Sequence, residues 1–353
     1  MTRLSGRDRI LTALRREEPD VVPHMELWMN PMVAGNIVSG GSVEDLVDAL
    51  DIDGIAYYTI SMEKHEVLDG SKGIIRDKWG VIRRHTGQTT SHPIEAPIKS
   101  ERDLAAYVPP DPDEPSYYMG LDSMVKRFKG RRAIVAIIEQ PFQRVNELRG
   151  AADHYMDMIR NPDLILGINE IVTKHHLRFV KNYIERGADV ICFSGDFATQ
   201  QGPMVSPQHL EKFGIPPLAA LVQFVHSRGV PCILHSDGNI LPIMEMLLDT
   251  GPDALHPIDP EAGLDIGDFK EKYGRRVCLI GSIDCSLLIL GTKQQVRHAV
   301  KENIRKAGKG GGLIAASSHS VQSATKPENY VEMVKAIREY GRYPLSSDLF
   351  SDS

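Results

Sequence analysis

The chain has no apolar run approaching the ~20 residues that a membrane-spanning helix needs, and it has no block of like charge, no internal repeat and no low-complexity tract. The first absence argues against a transmembrane segment. The second, with a net formal charge of −6 spread along the chain, leaves neither nucleic acid nor an anionic membrane surface a partner. Cysteine is scarce: there are four, at 192, 232, 278 and 285, each in or at the end of an apolar run. That distribution suits reduced core thiols in a cytoplasmic protein and excludes a disulfide frame. Residues 1–16 read as a charged amphipathic helix capped near Ser5, not as a secretion signal.

What is present is alternation. Eight short β-branched or aliphatic runs (21–28, 52–59, 133–139, 188–196, 230–237, 254–257, 276–284 and 313–319) are each followed by a helix-like stretch. Strands alternating with helices imply parallel pairing, and eight such units close a (β/α)8 TIM barrel. The whole chain, 1–353, is expected to be that one α/β domain, with an insertion at 61–117 after the second strand. The insertion contains an extended pair, 73–85 and 89–98, and its Trp79 is either a lid aromatic or an inward-packed residue. Helices are expected at 123–128, 146–160, 163–186, 206–228, 241–248, 264–273, 293–307 and 327–340.

In such a barrel the active site lies where the carboxyl ends of the strands meet. The polar residues ending the runs are Glu26, Tyr58, Glu139, Asp196, His235 with Asp237, His256, Asp284 with Cys285, and His319. In Ile233-Leu234-His235-Ser236-Asp237-Gly238-Asn239, residues i and i+2 of a strand project to one side, so His235 and Asp237 face one point. They could be two ligands of a divalent metal such as zinc, a proton-transferring pair, or a turn-capping aspartate beside a histidine bonded to backbone. His319 could add a third ligand from the eighth strand, in which case a shared ion sits near the barrel axis. Glu139 ends a wholly apolar run and is either a general acid, a further ligand, or the partner of Arg144. Asp196 and Asp284 divide between substrate binding and fixing a loop. The Gly-Lys-Gly-Gly-Gly run at 308–312 precedes a strand and reads as a tight turn, not a phosphate loop.

Residues 7–23 (RDRILTALRREEPDVVP), Gly195-Asp196 leading to Gly202-Pro203 and Ser206-Pro207, HSDGN at 235–239, and 279–284 leading to 317–329 (SSHSVQSATKPEN) together resemble the uroporphyrinogen decarboxylase superfamily over essentially the whole chain. The resemblance implies a (β/α)8 barrel. It also implies either a heme-pathway decarboxylase or a cobalamin-dependent methyltransferase that works beside a separate corrinoid protein. The decarboxylases grip a many-carboxylate porphyrinogen with arginines after the first strand, whereas residues 17–63 here contain neither Lys nor Arg. The thiol-charging methyltransferases hold zinc on a His-x-Cys pair and a later Cys. Here His235 matches the histidine, Asp237 stands at the first Cys and His319 near the second.

That harder N/O set implies a polarised ether oxygen rather than an activated thiol. The expectation is therefore an O-demethylase methyltransferase that moves methyl from a methoxylated aromatic compound to the Co(I) of a corrinoid protein. His235, Asp237 and His319 would hold zinc, with Glu139 as proton donor or further ligand. Trp28, Tyr58, Phe142 and Phe197 are candidates to pack against the ring, and Asp196 and His256 to bind substrate. A methylcobalamin:thiol or pterin methyltransferase and a catalytically silent corrinoid-binding barrel are the alternatives. A second copy of the chain, forming a homodimer, is a further candidate partner.

Overall fold

Seven parallel strands form one curled sheet in chain order: β1 (Gly54–Tyr58), β2 (Ala133–Glu139), β3 (Val190–Ser194), β4 (Cys232–His235), β5 (Ala254–His256), β6 (Cys278–Ile280) and β7 (Leu313–Ile314). These are seven of the eight expected strands, in the computed structural model, which describes residues 3–59, 65–85 and 91–350. The eighth, 21–28, lies between β7 and β1 without forming a ladder. It is held by the single bridges His24↔Ala315 and Met29↔Val321. Ala315 N donates to Pro23 O (2.9 Å) and Asp53 N to His24 O (3.0 Å), so the circuit still closes into a TIM barrel. Pro23, which has no N–H, is one reason the segment cannot pair continuously.

Alternation sorts the strand side chains into two layers. Ala133, Val135, Ile137, Val190, Cys192, Ile233, Ala254, Cys278, Ile280, Ile314 and Ala316 fill the barrel with Met25 and Leu27, and Ile10, Ala13 and Leu14 of the N-terminal helix α1 (Gly6–Leu14) join them. That helix plugs the end where the strands begin. The outward set, such as Ile134, Ala136, Ile191, Phe193 and Leu234, packs against the helical layer. Beneath β1, fully buried Asp53 accepts from Arg9 Nη1 (3.0 Å) and His24 N (2.9 Å) and pairs with Arg338 Nη2 (2.9 Å).

Helices Lys293–Ala307 and Pro327–Tyr340 lie where the sequence places them. The stretch 146–160 is instead two helices, Pro141–Arg149 and Ala151–Arg160, broken at Gly150 with φ 84°. Pro31–Ile37, Val43–Ala49, Glu101–Ala106 and Cys285–Leu290 were not anticipated; at six or seven residues each, they are too short to show a helical period. The insertion builds a four-stranded antiparallel sheet. Its Trp79 is buried against His175 and His176, which makes it an inward-packed residue and not a lid. The 308–312 run is a tight turn, and a Cβ on Gly311 would lie 2.2 Å from the Glu17 backbone. Among the described residues no helix is long and apolar enough to cross a membrane.

Glu26 corrects the expected ring at the mouth. It lies on the helix side of the closing segment, where its carboxyl accepts from Ser317 N (3.2 Å) and Ser317 Oγ (2.6 Å). Its neighbour His24 bonds Ala315 O (2.8 Å) and Tyr330 OH (3.0 Å). Burial, only partly offset by Ser317, pushes the Glu26 carboxyl up to about 8 from an ordinary 4.5. A folded-state value above the unfolded one means that the stability Glu26 contributes is full below the unfolded value and is lost as pH rises through the folded one. Glu26→Gln removes that titration. The loss of stability between about pH 4.5 and about pH 8 should therefore be shallower in the variant, each tenfold difference in proton affinity between the folded and unfolded chain being worth roughly 1.4 kcal/mol. Parallel pH–Tm curves for parent and variant would contradict this.

Candidate functional site

Glu139, Ser194, His235 and His256 are successive rungs across β2, β3, β4 and β5. They share the inward phase of Ile137, Cys192, Ile233 and Ala254 one step below, and so line the carboxyl-end mouth. Beyond His235 the chain turns through the HSDGN segment, most of which builds the loop. Ser236 Oγ accepts from Phe197 N (3.0 Å), and Asn239 Oδ1 from Leu241 N (3.2 Å). Gly238, at φ 83°, runs so close to Thr199 that a Cβ would lie 2.6 Å from its carbonyl. Asn239, not Asp237, therefore caps the turn, and His235 and Asp237 are left for chemistry.

Asp237 stands between two imidazoles. Its Oδ2 is 2.7 Å from His319 Nε2 and 3.9 Å from His235 Nε2, and its buried Oδ1 has no hydrogen-bond partner among the described residues. Asp196 joins them: its Oδ1 accepts from Asp237 N (2.9 Å), and donor atoms of Asp196, His235 and Asp237 all lie within 4.8 Å of one another. His235 Nδ1 lies 2.7 Å from His256 Nδ1, which leaves Nε2 to face Asp237. His319 Nδ1 is held by Ser320 Oγ at 2.7 Å. Burial raises the Asp196 carboxyl, with His235 opposing. Burial also acts to raise Asp237, but the His319 hydrogen bond and the nearby imidazoles outweigh it and hold that carboxyl below its ordinary value. His319 is raised in turn by its bond to Asp237, and burial drives His256 well down. Two carboxylates and two imidazoles around an unpartnered buried oxygen form a donor set that suits a borderline divalent ion such as zinc.

The other side of the mouth is aromatic and ion-paired. Trp28 meets Tyr58 edge-on at 5.0 Å, and Tyr58 OH donates to Glu139 Oε1 (3.0 Å). Glu139 Oε2 pairs with Arg144 (2.5 Å), which also holds Glu147 (2.9 Å) and lies over Trp79. Of the readings left open for Glu139, the structure favours the Arg144 ion pair over a further metal ligand. Burial, with Arg144 opposing, pushes its carboxyl up to about 7.

Several expectations shift. Phe142 and Phe197 are fully buried and pack on each other at 5.5 Å, so both are core residues and present no surface to a ring. His256 is buried beside His235, across from it on the neighbouring strand, and orients it. Asp284 caps the helix Cys285–Leu290 through Ser286 N (2.7 Å), and Cys285 is buried with its thiol on Ser320 O. Sequence reasoning weighed Asp196 for substrate or loop and missed it as a donor beside His235 and Asp237. The available signal was position, since Asp196 follows inward-facing Ser194 by two residues, just past the end of the strand next to His235.

A sequence profile of the family described as uroporphyrinogen decarboxylase (URO-D) matches residues 84–340. Curated uroporphyrinogen decarboxylases are similar over most of the chain. That of Hydrogenovibrio crunogenus is 24% identical over 358 residues, covering 94% of this chain and 96% of its own. That of Nitrosospira multiformis is 24% identical over 261 residues, covering 70% and 69%. Among solved structures, a methyltransferase from Methanosarcina mazei superposes with a TM-score of 0.75 at 19% identity, covering 96% of this chain and 99% of that one. The chain belongs to the uroporphyrinogen decarboxylase family.

Proposed function

We propose that this family member is the methyltransferase component of a corrinoid-dependent O-demethylase. It would move a methyl group from a methoxylated aromatic compound to the Co(I) of a partner corrinoid protein. The observation that carries the reading is the sulfur-free cluster of His235, Asp237, His319 and Asp196 at the barrel mouth, which also holds the Trp28–Tyr58 pair.

A divalent ion such as zinc on His235, Asp237 and His319, with Asp196 as a further donor, would supply a Lewis acid for the ether oxygen. His256 and Ser320 fix the ring orientations of the two histidines, which keeps the donor set ready. Trp28 and Tyr58 would pack against the aromatic ring and aim its methyl group out of the mouth toward the partner. The Co(I) of the partner would supply the electron pair for the new bond to the methyl carbon, and the ether oxygen would keep the pair of the broken bond as a phenolate. The phenolate would take its proton from water; Glu139, the proton donor expected from the sequence, lies two strands and about 10 Å from His235 and, paired with Arg144, holds the Tyr58 hydroxyl instead.

The names of the curated relatives favour a second reading, uroporphyrinogen decarboxylation. Charge opposes it: residues 17–63 contain neither Lys nor Arg, and Arg144 is already bound by Glu139 and Glu147. A polyanion at this mouth would meet carboxylates. A thiol acceptor is opposed by the cluster's lack of sulfur. A silent corrinoid-binding barrel would have a mouth without metal.

The mouth should contribute about one equivalent of bound divalent metal, which His235→Ala and Asp237→Ala each remove while the circular dichroism spectrum is kept. Full occupancy in both variants would sink the metal reading. No coproporphyrinogen should form from uroporphyrinogen; enzyme-like rates of formation would reverse the choice of reaction. In single-turnover methylation of the Co(I) partner, followed by absorbance, His319→Ala should slow transfer ~10²-fold or more, since a lost Lewis acid costs several kcal/mol at the transition state. Rates equal to the parent's would take His319 out of the site.

A further inference from the structure

We infer that His226, Cys232 and Asp253 form a second metal site, at the end of the barrel opposite the mouth, which takes a zinc- or cadmium-class divalent ion. Donor atoms of the three residues all lie within 4.8 Å of one another. His226 Nε2 is 2.8 Å from Asp253 Oδ2, and Cys232 Sγ is 3.8 Å from His226 Nε2. Tetrahedral bonds of about 2.3 Å to sulfur and about 2.0–2.2 Å to nitrogen and oxygen imply donor–donor edges of roughly 3.6 Å for S–N and roughly 3.4 Å for N–O. The sulfur–nitrogen edge is already near that value. The nitrogen–oxygen edge has to open by about half an ångström, as a shared proton gives way to the larger ion.

The position suits an ion arriving from solvent. His226, in the last turn of the helix Ile215–Ser227, and Asp253, just before β5, have side chains 40% and 28% exposed, while Cys232 is buried beneath them at the start of β4. Water can fill the fourth position. The Asp253 carboxylate is fixed by Cys232 N at 2.8 Å, so one of the three ligands is already oriented by backbone. The other cysteines have different surroundings: Cys192 and Cys278 lie in the barrel interior, and Cys285 is bonded to Ser318 and Ser320. Among the described residues, Cys232 is the cysteine that shares its site with an imidazole and a carboxylate.

Binding involves no redox change. The Cys232 thiol gives its proton to solvent and the thiolate takes the ion; His226 binds through Nε2 with its proton on Nδ1; Asp253 completes the set. The ion would pin the end of the helix Ile215–Ser227 to the starts of β4 and β5. Cys232 precedes His235 by three residues on the same strand, about 10 Å away, so the site is separate from the mouth and does not depend on the proposed methyl transfer.

Sulfur distinguishes the two sites experimentally. Titrating the purified full-length chain with Co(II) should produce a thiolate-to-cobalt charge-transfer band in the near ultraviolet, which zinc or cadmium then displaces. The band should persist in Asp237→Ala, disappear in Cys232→Ser, and need at least ~10-fold more metal in His226→Ala, a change at an exposed position that leaves the core intact. Zinc should also raise the Tm of Asp237→Ala and lose that effect when His226→Ala is added. Absence of the band in the parent, or an unchanged band in His226→Ala, would show that the three residues are only a hydrogen-bonded cluster.

Discussion

A single buried carboxylate holds the ends of the fold together. Asp53, at the foot of β1, takes a guanidinium from α1, the His24 amide of the closing segment and a second guanidinium from the last helix, Pro327–Tyr340. Because it is fully buried, its charge depends on these partners, and breaking a buried ion pair by removing one member costs about 3–5 kcal/mol. This cluster replaces the missing hydrogen-bond ladder of segment 21–28. It fixes where that segment runs and therefore where Trp28 meets Tyr58. The segment in turn bonds residues 315–321 through His24, Glu26 and Met29. His319 lies in that stretch, so one side of the mouth is set by an ion cluster at the opposite end of the barrel.

Much of this was legible in the sequence because it rests on local period. Seven of the eight runs are strands, and His235 and Asp237 lie together, although the strand ends at His235 and the turn after it places Asp237. The failures occur where period stops being informative. In the segment 21–28, Pro23 breaks the ladder and Glu26 turns away from the mouth, so the polar residue near the end of that run says nothing about it. Phe142 and Phe197 follow strands closely in sequence, yet each turns back into the core, a tertiary fact that no strand pattern carries. Asp196 could be placed at the mouth but not assigned a role, since a lone carboxylate at a strand end serves a loop, a substrate or an ion equally well. What decides is its neighbour across the sheet.

The chemistry of the mouth follows from which charges are left unpaired. Glu139 faces the same opening as His235, but Arg144 and Tyr58 already satisfy it, and Arg144 is shared with Glu147. That side is therefore electrostatically closed and is suited to packing a ring. The other side brings Asp196 and Asp237 together, and among the described residues their side chains pair with imidazoles and backbone rather than with lysine or arginine. Two carboxylates that depend on histidines for compensation are a better site for a cation than for an anionic substrate.

His319 is where that compensation and the proposed metal meet. Its Nε2 is both the hydrogen-bond partner of Asp237 and the atom that would bind an ion, and the Asp237 bond raises its affinity for a proton. Proton and ion therefore compete for one lone pair. Because a ligating imidazole must be deprotonated, metal affinity at the mouth should weaken as pH falls through the raised value of His319, and the proton should leave as the ion enters. The same proton holds His319 against Asp237 when no ion is bound, which keeps the donor set assembled in either state.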